Sequence, residues 1–188
     1  MTIHAGDPFA TPDDAHSPLR RLRGRMPATV TLWTAYGRDE RPAGLTVSST
    51  VVADGDPGLV LGLIDDESDV YPAIVDSRRF VVTVLGGGDA QLADRFAGLL
   101  PAPGGPFADG RWERTEYGPV RAGPQAWAGC TLASTERVGY AVLMRASVDR
   151  VVLGDGEVHP LLRHRGRYVA LSEAVTPDRG ARNPHREH

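Results

Sequence analysis

A mainly β fold with peripheral helices is what this sequence predicts, and three observations carry that reading. Short β-branched and apolar runs recur along the chain, each closed by a cluster of Gly, Pro or Asp. Helical spacing is confined to two or three short segments, mostly in the first half. The regular strand–helix alternation of a parallel sheet is missing, so about six or seven short strands favour a β-barrel or sandwich decorated by helices.

Taken in order, residues 1–18 hold three prolines and little apolar periodicity, which predicts a mobile arm. The four arginines of residues 19–25 read as the solvated face of a short helix that buries Leu19 and Leu22. Residues 29–34 alternate with period two, a strand signal, and residues 37–42 form a charged turn. Residues 44–52 are rich in Val and Thr and predict a second strand, ended by the turn cluster at 54–58. The continuous apolar run 59–64 predicts a strand covered on both faces. Val70, Ala73 and Ile74 share one helical face within 68–76, with Pro72 early enough to be tolerated. Residues 80–85 form another buried strand. Gly86-Gly87-Gly88 then leads to Asp89 as N-cap of a helix through Leu92, Phe96 and Leu99. Residues 101–110 are a Pro/Gly-rich loop, residues 127–137 and 140–153 a last pair of strands, and 161–171 contain a final short strand. Residues 172–188 are a polar tail, leaving 19–171 as the one folded domain.

Composition excludes several function classes. A formal charge of −3 leaves no basic excess for a nucleic-acid backbone or an anionic membrane surface. All 21 basic residues are Arg, so a P-loop lysine, a Schiff-base lysine and a lysine general base are impossible. The single Cys130 rules out an internal disulfide and a Cys-rich zinc site, and reads as a small buried apolar residue. No apolar run approaches the roughly 18–20 residues of a membrane span, and the N-terminus lacks a signal-peptide pattern. A cytoplasmic setting is expected.

Conventional catalytic groups are scarce, and no catalytic residue is assigned. His4, His16, His185 and His188 lie in the tails, while His159 and His164 are flanked by Arg with no third ligand, so no metal site is expected. No serine sits in a nucleophile elbow. The triple glycine lacks the offsets of a dinucleotide fingerprint, and Asp65-Asp66-Glu67 reads as a solvated turn rather than a cation site. One segment is unusual: Gly44-Leu45-Thr46-Val47-Ser48-Ser49-Thr50 places four hydroxyls within five positions. Hydroxyls and backbone N–H groups can hold a phosphate or the edge of a polar heterocycle without any lysine. The same pattern also suits an edge strand whose hydroxyls face water.

The ordered segments VTLWT (30–34), GLTVSST (44–50), DPGLVLGL (56–63), SRRFVVTVL (77–85), LADRFAG (92–98), W-x-G-C (127–130) and PLLRHRGRY (160–168) resemble the flavin reductase-like family of FMN-binding split barrels. That family includes the reductase components of two-component flavin monooxygenases. The resemblance implies a six-stranded Greek-key split barrel, a homodimer, bound FMN or FAD, NADH or NADPH as co-substrate, and a monooxygenase component as partner. It places Thr46, Val47, Ser48, Ser49 and Thr50 beside the flavin, a second phosphate clamp around Ser68 and Asp69, and Phe96 and Ala97 on the helix closing the pocket. A cofactor that carries the redox chemistry itself accounts for the thin catalytic inventory. Two positions depart from the family pattern. Asp69 and Val70 follow Ser68 where the family has Ser and Thr, and Gly139-Tyr140-Ala141 stands where many members have Gly-Asp-His, which implies slower or less selective use of the nicotinamide donor. Other outcomes consistent with the resemblance are a flavin protein with another electron donor and a dimeric binding module without cofactor.

Overall fold

The structure is a computed structural model that describes residues 18–155 and 159–171. Of the arm expected over 1–18, residues 1–17 lie outside the described residues, as does the tail expected over 172–188, while Pro18 opens the first helix. The chain opens with helix α1 (Pro18–Arg25), followed by strands β1 (Ala28–Thr29), β2 (Thr31–Tyr36), β3 (Pro42–Val47), β4 (Val51–Ala53) and β5 (Leu59–Ile64). Helix α2 (Val70–Ser77), β6 (Arg79–Val84), a 3-10 turn at Gly87–Asp89 and helix α3 (Ala90–Phe96) come next. The hairpin β7 (Trp112–Arg114)–β8 (Pro119–Arg121), the long hairpin β9 (Trp127–Val138)–β10 (Ala141–Val152) and the hairpin β11 (Leu161–His164)–β12 (Arg167–Ala170) complete it.

The main sheet is antiparallel throughout, in the order β3-β2-β6-β9-β10-β5-β4. Its two edges, β3 and β4, are consecutive in sequence. They are two halves of one strand that changes partner at Ser48–Thr50, pairing with β2 before the break and with β5 after it. Counted that way the sheet is a six-stranded split barrel, whose two edges meet in sequence at one interrupted strand. The side chain of Ser49 bridges the break. Its hydroxyl donates to the Leu63 carbonyl and accepts from the Leu63 N–H, both at 2.9 Å.

Trp33 fills the barrel interior. It is wholly buried, stacks on Phe80 with ring centroids 4.7 Å apart, and lies where a Cβ on Gly62 would come within 2.6 Å of its ring. Glycine at 62 is therefore a packing requirement of Trp33. Val47, Ile64, Val70, Ile74, Met144 and their neighbours complete this core. A second core, with Val30, Leu32, Leu85, Leu92, Phe96 and Leu161, joins α3 to the strand ends and to the β11–β12 hairpin.

Three local expectations need correction. Leu19 and Leu22 are 75% and 57% exposed, because α1 docks through its carboxyl end (Gly24 carbonyl to the Arg165 N–H, 2.8 Å) rather than through an apolar face. The run 59–64 is not covered on both faces: Val60, Gly62 and Ile64 point inward while Leu63 is exposed on the outer face. The helix expected to reach Leu99 ends at Phe96, with Gly98 at φ +73° terminating it and Leu99 left exposed.

The loop after α3 is fastened by Asp109. Its carboxylate accepts from Trp112 Nε1 (2.8 Å) and Arg95 (3.2 Å), with Arg121 at 4.0 Å. Burial works to raise this carboxyl, but the Arg111 N–H, Trp112, Arg95 and Arg121 outweigh it and hold it below the usual carboxylate range. Its contribution to stability is thus complete above the unfolded carboxyl pKa of about 3.9 and is lost as pH falls through the lower folded value. Asp109→Asn should therefore melt earlier at neutral pH and lose less stability than the parent between about pH 4 and pH 2. Melting curves across that range test this, and parallel acid limbs would refute it.

Candidate functional site

The broken strand is also the hydroxyl-rich segment. Ser48, Ser49 and Thr50 stand outside both ladders, so their backbone amides are not committed to strand pairing. Most of the hydroxyl protons are already in use. Thr46 Oγ1 donates to the Ala93 carbonyl on α3 (2.7 Å), and Ser49 to Leu63. Thr31 Oγ1 donates to the Val47 carbonyl (2.8 Å) and lies 2.7 Å from Thr50 Oγ1. A hydroxyl has one proton, so Thr50 is the donor to Thr31. Trp33 Nε1 supports this pair from below, 3.2 Å from Thr31 Oγ1 and 3.1 Å from Thr50 Oγ1.

What remains for a ligand is the exposed Ser48 hydroxyl, the N–H groups at the break, and the lone pairs of Thr50 and Ser49. Of these, the Ser48 hydroxyl and the N–H groups are donors, and they fit the carbonyl and ring-nitrogen acceptors on the edge of a flavin ring. This set rests on Thr31 and Trp33, whose period-two pattern in the sequence signals a strand and nothing more. Their link to Thr50 crosses 17 to 19 residues and has no local signal. Val47 is buried in the barrel core.

Phe96 and Ala97 lie at the end of α3, the helix tied to β3 by the bond from Thr46 to the Ala93 carbonyl. Gly44 lets β3 approach that helix, since a Cβ there would come within 2.7 Å of the Phe96 ring. Phe96 itself is buried, edge-on to Phe107 and Trp112 at 4.8 and 5.5 Å, so it positions α3 and presents no ring to solvent. Ala97 is half-buried at the helix end.

Ser68 and Asp69 lie at the other side of Leu63, in the turn from β5 to α2. The Ser68 hydroxyl donates to the Asp65 carbonyl (2.6 Å), and Asp65 caps the Glu67 N–H (3.0 Å). Asp69 precedes α2 without a side-chain cap bond. Residues 65–69 carry four carboxylates as sequence neighbours of Ser68, one of them, Asp66, paired with Arg137. This donor set does not fit a phosphate, which like charges would repel.

Gly139 and Tyr140 form the tip of the β9–β10 hairpin, with Gly139 at φ +60° and Tyr140 fully exposed. Cys130 is buried, and that burial, with Asp149, pushes its thiol up to about 12, too high for a nucleophile at neutral pH. Among the described residues no cluster of His, Cys, Asp and Glu is arranged to hold a metal, and no helix is long and apolar enough to cross a membrane. A cleft of about 530 Å³ opens at the far end of β2, lined in part by Tyr36, Arg114 and Tyr117. Its arginines are engaged: Arg38 with Asp76, Arg79 with Glu116 and Arg114 with Glu40.

Comparison with known proteins agrees with this architecture. The family model described as flavin reductase like domain matches residues 23–172. The flavin reductase (NADH) of Kitasatospora aureofaciens is 34% identical over 130 residues, 68% of this chain and 66% of that protein. The reductase component of a 4-nitrophenol 4-monooxygenase/4-nitrocatechol 2-monooxygenase from Rhodococcus opacus is 30% identical over 151 residues, 80% of this chain and 78% of that protein. Among solved structures, nitrilotriacetate monooxygenase component B from Mycobacterium thermoresistibile superposes with a TM-score of 0.73 at 26% identity, covering 86% of this chain and 92% of that one. A split barrel with a broken, hydroxyl-rich strand and a family match spanning most of the chain point the same way, and the protein belongs to the flavin reductase-like domain family.

Proposed function

We propose that this protein is a flavin reductase that uses NADH or NADPH to reduce FMN or FAD and supplies the reduced flavin to a partner monooxygenase component. The observation that carries the reading is the strand break at Ser48–Thr50, where uncommitted amides and the free Ser48 hydroxyl gather on a scaffold of this family. The flavin, when bound, supplies the two-electron redox chemistry. The chain's own contribution is to hold the ring edge at Ser48, Ser49 and Thr50, with α3 at Phe96 and Ala97 closing over it. The bonds among Thr31, Trp33 and Thr50 keep the break in one conformation before the ligand arrives, which lowers the ordering cost of binding. The names of the relatives, flavin reductase (NADH) among them, favour NADH as the donor.

The homodimer is part of the same proposal. On the outer face of the sheet, Val51 is opposite Leu61 and Leu63 is opposite Leu143, an apolar row that a second copy would cover. A cytoplasmic setting suits the lone buried thiol of Cys130.

The deciding experiment loads the purified protein with FMN or FAD and follows absorbance loss of NADH and NADPH separately, with oxygen as acceptor. Turnover with NADH is expected from a species scattering light at twice the 20.2 kDa of one chain. Failure of a flavin-loaded protein to oxidise either donor would overturn the reductase reading.

A further inference from the structure

Charge is distributed very unevenly around the broken strand. On one side, Ser49 is bonded to Leu63, and two residues beyond Leu63 begins the acidic turn 65–69. On the other, Thr50 is bonded to Thr31, whose neighbour Val30 pairs through its N–H with the Leu161 carbonyl (2.8 Å); two residues beyond Leu161 is Arg163. Arg163 opens a lobe built from α1, β1 and the β11–β12 hairpin. Helix α1 carries Arg20, Arg21, Arg23 and Arg25. The hairpin adds Arg163, Arg165 and Arg167. Residues 18–29 and 159–171 contain no Asp or Glu, in a chain whose net charge is −3.

The lobe is one structural unit. β1 pairs with β11 at Ala28 and Thr29, and the Arg165 N–H donates to the Gly24 carbonyl at the end of α1. It is also tied to α3: Gly86 bridges Pro160, and Tyr168 packs into the core that holds Phe96. Arg163 lies over the Tyr168 ring at 5.4 Å, and Asp94 of α3 is the carboxylate beside that tyrosine. Arg165 and Arg167 are exposed.

We infer that the phosphate-bearing end of a nucleotide held at Ser48–Thr50 is received by the arginine lobe of the β11–β12 hairpin and α1, and not by the turn at Ser68. This rests on the reading of the strand break as the flavin site. The physical case is a difference in sign. Guanidinium groups form charge-assisted, bidentate bonds to phosphate oxygens, whereas Ser68 has spent its proton on Asp65 and sits among carboxylates. The shared chemistry is a phosphate monoester or pyrophosphate, and it has two possible sources, the flavin and the nicotinamide donor.

The test compares riboflavin, which has no phosphate, with FMN, using flavin fluorescence on the full chain at low and high salt. If the flavin is the source, FMN binds at least about tenfold tighter than riboflavin at low salt, and about 0.5 M salt removes the difference. Arg163→Gln/Arg165→Gln/Arg167→Gln, and more weakly the exposed pair Arg165→Gln/Arg167→Gln, should remove the FMN preference and leave riboflavin affinity unchanged. The riboflavin arm is also the control for folding. If the donor is the source, FMN and riboflavin bind alike, and ADP-ribose competes with NADH with an inhibition constant that rises about tenfold in the triple variant. Ser68→Ala should change neither affinity by more than about twofold. The inference is overturned if the arginine variants and salt leave FMN preference and ADP-ribose inhibition intact, or if Ser68→Ala removes either. A protein that binds neither riboflavin nor FMN instead refutes the flavin site itself.

Discussion

Trp33→Ala should cost about 3–5 kcal/mol of stability, a large part of the 5–15 kcal/mol that a typical domain possesses. The indole is wholly buried, stacked on Phe80 and pressed against Gly62, so its removal leaves a cavity that the barrel wall cannot collapse to fill. At this chain length the loss corresponds to a fall in Tm of roughly 6–20 °C. Trp33→Phe separates packing from hydrogen bonding. It keeps most of the ring volume but removes the N–H that meets Thr31 and Thr50, and should cost about 1 kcal/mol while weakening flavin binding more than it weakens the fold. Urea unfolding of both variants is the measurement. A Trp33→Ala protein within 1 kcal/mol of the parent would show that the barrel core is not built around this residue.

Changing Ser48 and Ser49 together to Leu should lower flavin affinity by about 100-fold or more. The two positions fail for different reasons. Ser48 is exposed, so Leu there removes a free donor and places an isobutyl group where the ring edge would lie. Ser49 holds both the N–H and the carbonyl of Leu63, so Leu there unpins the break from β5 and lets the amides of 48–50 move. Ser48→Leu alone isolates the first effect, because the parent side chain contributes little to the fold; its Tm should stay within about 2 °C of the parent. Equilibrium dialysis with FMN reads the affinities. A double variant that binds flavin as tightly as the parent would place the site elsewhere.

Much of this architecture is legible along the chain because its signals are local. The period-two alternation of 29–34, the apolar run 59–64 and the paired segments around Gly139 become β2, β5 and the β9–β10 hairpin within a few residues of their expected bounds. The face Val70, Ala73 and Ile74 becomes the buried side of α2, and Asp89 introduces α3. The segment 44–52 is less legible. Its composition is continuous strand, and nothing local announces that pairing stops at Val47 and resumes with another partner at Val51.

Legible along the chain are the strand-rich class, the lack of lysine and of a second cysteine for an internal disulfide, and the concentration of hydroxyls between Thr46 and Thr50. Composition and short-range periodicity act through each residue's own backbone preference and its nearest neighbours, so they can be read in one dimension. Which of those hydroxyls stay free is set by contacts in space. Thr46 is committed to α3, Ser49 to β5 and Thr50 to β2, through contacts 14 to 47 residues away. The same holds for the arginines, since α1 and the last hairpin lie at opposite ends of the chain and become one basic lobe only when β1 pairs with β11. A hydrogen bond or a summed charge depends on distance in space, and chain closure over more than a hundred residues sets that distance without leaving a local pattern.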